Sequence, residues 1–181
     1  MDPLTVGPNS YAPFFAKLLP LLAEVPGSIA EFGVYEGAST RELAKYGRDV
    51  YAFDTFEGMP KEEFRADLDV DEPGKFRPRF SAQEFCKDLK NVCPIVGRFA
   101  ETLGRMPKDL KFAFVMVDCD LYESHKQVLR WLPKHLSPGA LIFFEDYENL
   151  PGAKRAIDEF CFEHVLEMRL PERLVCWRKG L

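Results

Sequence analysis

The feature that most limits what this chain can fold into is a run without a single polar residue, Phe112-Ala-Phe-Val-Met-Val117, which stops abruptly at Asp118. It is too short for an ordinary helix and lacks the alternation of a half-exposed strand, so it reads as a strand buried on both faces. Similar short runs recur at Ile29–Val34, Val50–Phe53, Val92–Val96, Ala140–Phe144, His164–Arg169 and Leu174–Trp177. Amphipathic segments lie between them at Ser39–Tyr46, Ser81–Leu89, Ala100–Arg105, Tyr122–Leu132 and Gly152–Phe162. Strands of this kind need helices above and below them. The alternation therefore predicts an α/β fold with a doubly wound, seven-stranded, mostly parallel sheet. Only a few residues around Pro171 join the last two runs, too few for a crossover, so a C-terminal antiparallel hairpin is expected. Ser81 followed by Glu84 forms a capping-box signal, and a leading helix covers Tyr11–Ala23, with Pro20 kinking or ending its last turn.

The most informative chemistry lies between Ile29 and Pro60. One strand ends in a turn with Gly33 and Gly37, a helix begins near Ser39, and a second strand ends in Asp54, 21 residues after Gly33. That order suits a ligand with a ribose. The glycines let the backbone turn sharply and approach a ligand closely. The N–H groups opening the helix, with the hydroxyls of Ser39 and Thr40, suit a carboxylate or phosphate. Asp54 can accept two hydrogen bonds from a ribose diol. Gly-x-x-x-Gly is not the Gly-x-Gly-x-x-Gly of pyrophosphate binders, which favours a smaller, amino-acid-bearing nucleoside, S-adenosylmethionine above all. Glycine at a strand-to-helix turn is also common punctuation, and it is the conjunction with Asp54 that gives the pattern its meaning.

With 181 residues and 46% apolar content, one domain can bury an adequate core without a metal or disulfide staple. A net charge of −5 argues against a general nucleic-acid binder. Cys86, Cys93, Cys119, Cys161 and Cys176 are odd in number and lack Cys-x-x-Cys spacing, which fits a reduced, cytoplasmic protein with structural thiols. The Met1-Asp-Pro-Leu-Thr5 start has no leader pattern and no apolar run reaches membrane-spanning length, so a soluble, unprocessed chain is expected. The stretch Phe56–Arg79 breaks the rhythm, with Pro60, Pro73, Pro78 and the acidic run Asp67–Glu72. A loop this long, following directly on Asp54, reads as a lid over the ligand or as a mobile surface insertion.

A second constellation lies downstream. The run ending at Val117 delivers Asp118-Cys-Asp120, and the run ending at Phe144 delivers Glu145-Asp146-Tyr147. If these strands are neighbours, four acids meet at the edge that also carries Gly33 and Asp54. Crowded carboxylates need protons or a cation, and an all-oxygen donor set favours Mg²⁺ over zinc. Helix capping is the plainer use of such acids. Tyr122 and Tyr147 each follow an acid cluster and are candidates for the lining of an acceptor pocket. Trp131 and Phe160 read as core, His135 and His164 as structural, and Lys154-Arg155 as solvated surface.

Taken together, Glu31-Phe-Gly-Val-Tyr-Glu-Gly-Ala-Ser39, Asp54-Thr-Phe-Glu-Gly-Met-Pro60, Val96-Gly-Arg-Phe-Ala-Glu-Thr-Leu103, Val117-Asp-Cys-Asp-Leu-Tyr-Glu-Ser124, Leu136-Ser-Pro-Gly-Ala140 and Glu145-Asp-Tyr147 resemble the TylF/MycF (macrocin-type) sugar O-methyltransferase family. That family is similar in active-site layout to catechol O-methyltransferases. The resemblance covers roughly Ile29 to Phe160. It implies that Glu31, Gly33, Tyr35, Gly37 and Ser39 surround the methionine end of S-adenosylmethionine, with Asp118 at its flank. It also implies that Asp54, with Thr55 beside it, holds the ribose and that Arg98, Phe99 and Ala100 lie along the adenine. Asp118, Glu145 and Asp146 would bind Mg²⁺, lowering the pKa of an acceptor hydroxyl on a sugar or glycosylated metabolite.

This chain departs from the family pattern at two places. Glu145-Asp146-Tyr147 stands where the family usually has Asp-Asp-Tyr, which leaves a metal-free enzyme as an alternative. The lysine base of the catechol enzymes falls at Leu121, which cannot take a proton. Asp120 is then the first candidate for the base and His125 the second. Only one helix precedes the first strand, fewer than the resemblance implies, which leaves either a more open acceptor site or one completed by a partner subunit of a homo-oligomer. The remaining alternative is a catalytically inactive S-adenosylmethionine-binding accessory protein.

Overall fold

The structure, a computed structural model, describes residues 11–164, 166–170 and 173–177, with side chains up to residue 160. The readings of Met1–Thr5, of the Pro171 connection and of the Cys161 and Cys176 thiols fall outside the described residues.

Seven strands form one sheet: β1 (Ser28–Phe32), β2 (Val50–Asp54), β3 (Val92–Val96), β4 (Phe112–Val117), β5 (Leu136–Phe144), β6 (Leu166–Leu170) and β7 (Arg173–Trp177), in the spatial order β3-β2-β1-β4-β5-β7-β6. The first five pair in parallel, and β7 runs antiparallel to both β5 and β6. The expected doubly wound sheet with a terminal hairpin is therefore present. The chain starts at β1 and winds outward to β3, then returns to β4 and winds the other way. This reversal opens a crevice at the carboxyl ends of β1 and β4, where such sheets bind ligands.

Every residue of β4 has 0% exposure, which explains its lack of polar residues. Burial of each of its larger side chains stabilises the fold by about 1.5–3 kcal/mol. One sheet face packs Phe32, Phe53, Phe112, Val115 and Val117 against α4 (Phe99–Thr102), α5 (Tyr122–Trp131) and α6 (Pro151–His164). The other face packs Ile29, Phe114, Met116 and Phe143 with residues of α1 (Ala12–Leu18), α2 (Ala38–Ala44) and α3 (Ala82–Cys86). Phe15 of α1 meets Phe114 and Phe143 edge-on, at centroid distances of 5.7 and 6.0 Å. Trp131 packs against the first core and Phe160 belongs to it, as expected.

The differences from the sequence reading lie at element ends. The leading helix changes to a 3₁₀ turn at Leu19–Leu22, where Pro20 denies the α-helix an N–H donor. The Ser81–Glu84 capping box forms, but α3 stops at Cys86 because Leu89 bonds back to the Cys86 carbonyl in a turn that feeds β3. β5 begins at Leu136 rather than Ala140. Ser137-Pro-Gly139 forms a bulge within the strand, with Gly139 at φ +81° and the pairing to β4 shifting register there. His164 is the last residue of α6 and does not open a strand.

Candidate active site

The carboxyl ends of the parallel strands open into one cavity of about 520 Å³. Its floor is the turn after β1. Gly33 lies at φ +92°, and a Cβ there would come within 1.7 Å of the Asp118 carbonyl oxygen, so no other residue fits. Gly37 at φ +69° likewise leaves no room, because a Cβ would meet the Phe85 ring at 2.1 Å. Gly33, Tyr35, Gly37 and Ser39 all line the cavity.

Asp54 faces this turn from the end of β2. Its Oδ2 accepts hydrogen bonds from the Val34 and Tyr35 N–H groups at 2.6 and 3.2 Å. Its Oδ1 accepts the Phe56 N–H at 2.8 Å. The carboxylate is thus already occupied by the protein, which the sequence reading of a free ribose acceptor did not include. Thr55 works within its own turn, donating to the Gly58 carbonyl at 2.8 Å. Arg98 and Phe99 line the cavity. Ala100 does not. It is exposed, because the next residue of α4 is rotated about 100° from Phe99.

Glu31 lies beneath the turn and outside the lining, at 0% exposure. Its Oε1 accepts the Ser39 hydroxyl, and its Oε2 has no hydrogen-bond partner among the described residues. Burial pushes its pKa up to about 7, against the lowering effect of the Ser39 and Thr40 hydroxyls nearby.

The acids after β4 and β5 meet as the topology requires. Carboxylate oxygens of Asp118, Asp120 and Asp146 lie within 4.8 Å of one another. Burial, and then each other's charge, raises all three well above the usual carboxylate range. The Asp120 N–H donates to Asp146 Oδ2 at 3.0 Å, and the Tyr11 hydroxyl donates to Asp118 Oδ2 at 3.3 Å. Asp120 holds φ +58°, a left-handed conformation that aspartate tolerates better than most residues. Glu145, which the resemblance gave as a ligand, lines the cavity but is not one of the three clustered acids, and Asp120 is. The donor set is all oxygen, crowded and short of positive charge, which fits a hard divalent cation.

His125, the second candidate base, is neither in the cavity lining nor exposed. It lies at 0% exposure behind Asp146, with Nδ1 3.0 Å from the Leu121 carbonyl and Nε2 3.6 Å from Asp146 Oδ2. Burial lowers its pKa to about 4, so it is neutral at ordinary pH. The period of α5 turns this residue inward, away from any acceptor. Tyr122 and Tyr147 are also absent from the lining. Tyr147 is 1% exposed and donates to Asp158 at 2.7 Å, while Tyr122 lies against Glu159 and Lys126. Lys154 and Arg155 pair with Asp158 and Glu159 on the surface of α6. His135 stacks on Trp131 at 3.8 Å, a structural role.

Sequence reasoning did not single out Tyr11, Glu63 or Phe76, all of which line the cavity. Glu63 and Phe76 come from the 56–79 segment, which folds over the crevice. Asp69 of that segment accepts the Tyr122 N–H at 2.9 Å at the start of α5, and Glu63 accepts the Ser124 hydroxyl at 2.6 Å. Phe76 meets Tyr35 edge-on at 5.4 Å. None of these pairings follows from local spacing.

Comparison with known proteins now adds the family. Residues 21–179 match the family described as Macrocin-O-methyltransferase (TylF). The chain belongs to this family. Among curated relatives of this macrocin-type member, the 8-demethyl-8-(2,3-dimethoxy-alpha-L-rhamnosyl)-tetracenomycin-C 4'-O-methyltransferase of Streptomyces olivaceus is 32% identical over 145 residues, covering 68% of this chain and 54% of the relative. The demethyldecarbamoylnovobiocin O-methyltransferase of Streptomyces niveus is 29% identical over 162 residues, covering 75% of this chain and 58% of the relative. The macrocin-type chain thus spans little more than half the length of these relatives. Among solved structures, the O-methyltransferase NovP superposes with a TM-score of 0.70 at 26% identity, covering 87% of this chain and 74% of that one. Among the described residues, no helix is long and apolar enough to cross a membrane.

Proposed function

We propose that this protein transfers the methyl group of S-adenosylmethionine to a hydroxyl of a sugar or glycosylated small molecule, assisted by a divalent cation such as Mg²⁺. The observation that carries the reading is the sharing of one cavity by the Gly33 turn with Asp54 and by the cluster Asp118, Asp120 and Asp146. Family membership and the names of the two Streptomyces relatives favour a glycosylated acceptor.

Gly33, Tyr35, Gly37 and Ser39 would cradle the methionine end. Asp54 would accept the ribose diol at Oδ1, where the Phe56 N–H is the one backbone donor it holds. Asp118, Asp120 and Asp146 would hold the cation, with Glu145 at the rim. When bound, the cofactor supplies an electrophilic methyl on a sulfonium and the cation lowers the pKa of the acceptor hydroxyl. Asp118 and Asp146 are each oriented by a hydrogen bond. The Asp120 side chain accepts no hydrogen bond among the described residues, and as a carboxylate lining the cavity it would receive the hydroxyl proton. Burial at the crevice excludes water, and the shared floor of the two turns aligns the reacting groups, which is where much of the rate should arise.

The test is S-adenosylhomocysteine formation from S-adenosylmethionine with a panel of rhamnosylated aromatic acceptors, with Mg²⁺ and with EDTA. Turnover that requires both acceptor and metal supports the reading. Cofactor binding without turnover on any acceptor favours an accessory protein, and turnover in EDTA removes the cation.

A further inference from the structure

We propose that Asp69 is a positioning residue for Asp120: from the 56–79 segment it fixes the turn that presents this acid to the cavity, so that docking of the cover and assembly of the acid cluster are one event. The inference rests on the reading of Asp118, Asp120 and Asp146 as a cation site and adds to it a residue that acts from outside. Asp120 lines the cavity, whereas Asp69 is absent from the lining.

Asp120 occupies a turn that would not keep its shape unaided. It holds φ +58°, and the Leu121 N–H donates to the Cys119 carbonyl across it at 2.6 Å, so Asp120 is the centre of a three-residue turn of the rare, strained kind. Such a conformation persists only where its surroundings over-determine it. From inside the site, Asp146 Oδ2 holds the Asp120 N–H at 3.0 Å. On the other side, Leu121 is the N-cap of α5 and has no side-chain oxygen to offer, so the opening N–H groups of the helix need an acceptor from elsewhere.

Asp69 supplies that acceptor across 53 positions of sequence. Its Oδ1 accepts the Tyr122 N–H at 2.9 Å, and its Oδ2 accepts the Arg65 N–H of its own segment at 2.7 Å. A carboxylate at this place also faces the positive end of α5. It has little room to shift, because a Cβ on Gly152, in the first turn of α6, would come within 2.6 Å of Oδ1. Asp69 is thus wedged between the first turns of two helices, and it grips the backbone two residues beyond Asp120. The second tie between cover and α5, from the Ser124 hydroxyl to Glu63, joins side chains and leaves the backbone of the turn untouched. Arg79, at the other end of the cover, pairs instead with Glu36 in the turn after β1 at 3.0 Å.

The experiment is calorimetric titration of the cofactor-free full chain with Mn²⁺. Asp69→Ala removes the acceptor and should bind the ion roughly tenfold more weakly, the worth of a hydrogen bond to a charged group. Asp69→Asn keeps an acceptor oxygen without the charge and should fall between that variant and the wild-type chain. Arg79→Ala loosens the cover at Glu36 without touching the turn, and should bind within about twofold of wild type, an exposed ion pair being worth little. Thermal midpoints check that the variants fold, and if Asp69→Ala melts too low to titrate, Asp69→Asn decides by the same criterion. Unchanged Mn²⁺ affinity in the Asp69 variants, or an equal loss in Arg79→Ala, overturns the role of Asp69 and leaves the cation reading standing. Failure of the wild-type chain to bind Mn²⁺ overturns the cation reading and the inference with it.

Discussion

Replacing Asp54 should damage the unliganded protein before any cofactor is added. Three backbone N–H groups, of Val34, Tyr35 and Phe56, donate to this carboxylate at 2.6–3.2 Å. Asp54→Ala leaves all three without an acceptor. At about 1 kcal/mol for each bond at a partly wetted site, the loss is about 3 kcal/mol. For a chain of this size that corresponds to a fall in melting temperature of roughly 6–12 °C. Asp54→Asn retains an oxygen for the Val34 and Tyr35 groups and gives up the Phe56 bond, so it should fall by only about 2–4 °C. Thermal unfolding followed by circular dichroism, without ligand, measures both. If both variants melt within a degree of the wild-type chain, the cage around Asp54 carries no stability and the reasoning fails. The Asn variant is also the right one for cofactor titration, because in the Ala variant a lost ligand contact cannot be separated from a loosened turn.

Glu31 supplies a pH dependence of stability. Its folded pKa of about 7 lies above the 4.5 of an ordinary glutamate, so the folded chain binds more protons between those values and loses stability as pH rises through them. The loss is complete above pH 7 and amounts to about 3 kcal/mol at most. Denaturant unfolding should show Glu31→Gln gaining on the wild-type chain by that amount between pH 4.5 and pH 8, and a pH-independent difference would refute the assignment. Asp118→Asn should weaken Mn²⁺ binding, measured by calorimetry on the cofactor-free protein, by at least about tenfold; unchanged affinity would remove the acid cluster as a metal site. Gly33→Ala should leave little folded protein by circular dichroism or melt well below the wild-type chain, because the Asp118 backbone occupies the space of the new methyl group; a normally folded variant would show that the two turns separate easily.

Much of the fold could be read from the chain because its strands are buried on both faces and announce themselves as unbroken apolar runs. Phe112–Val117 has the same bounds in sequence and structure. The placement of Asp118 and Asp146 side by side followed from β4 and β5 being neighbours, a consequence of topology rather than of either loop alone. What could not be read depends on contacts between distant segments. Tyr11 reaches Asp118 across 107 positions and Glu63 meets Ser124 across 61, and no local pattern encodes either. The place of His125 near the start of a helix makes it a candidate base in the sequence, but α5 turns that position into the core. Ala100 failed for the opposite reason, since its neighbour Phe99 takes the inward position. Pro138-Gly139 carries a turn signature, yet the neighbouring strand absorbs it as a bulge.

The contact between Gly33 and the Asp118 carbonyl has a consequence for how this scaffold can change. The turn after β1 and the turn after β4 touch backbone to backbone, so they behave as one rigid block. The 56–79 segment is fastened to that block from outside, chiefly through Asp69 and Glu63 to the start of α5. Sequence in the cover can therefore drift, or be exchanged by an engineer, without disturbing the spacing between the two turns, provided those two acidic anchors remain. The chain separates a part that sets distance from a part that sets fit, and mutations should be tolerated very unequally in the two.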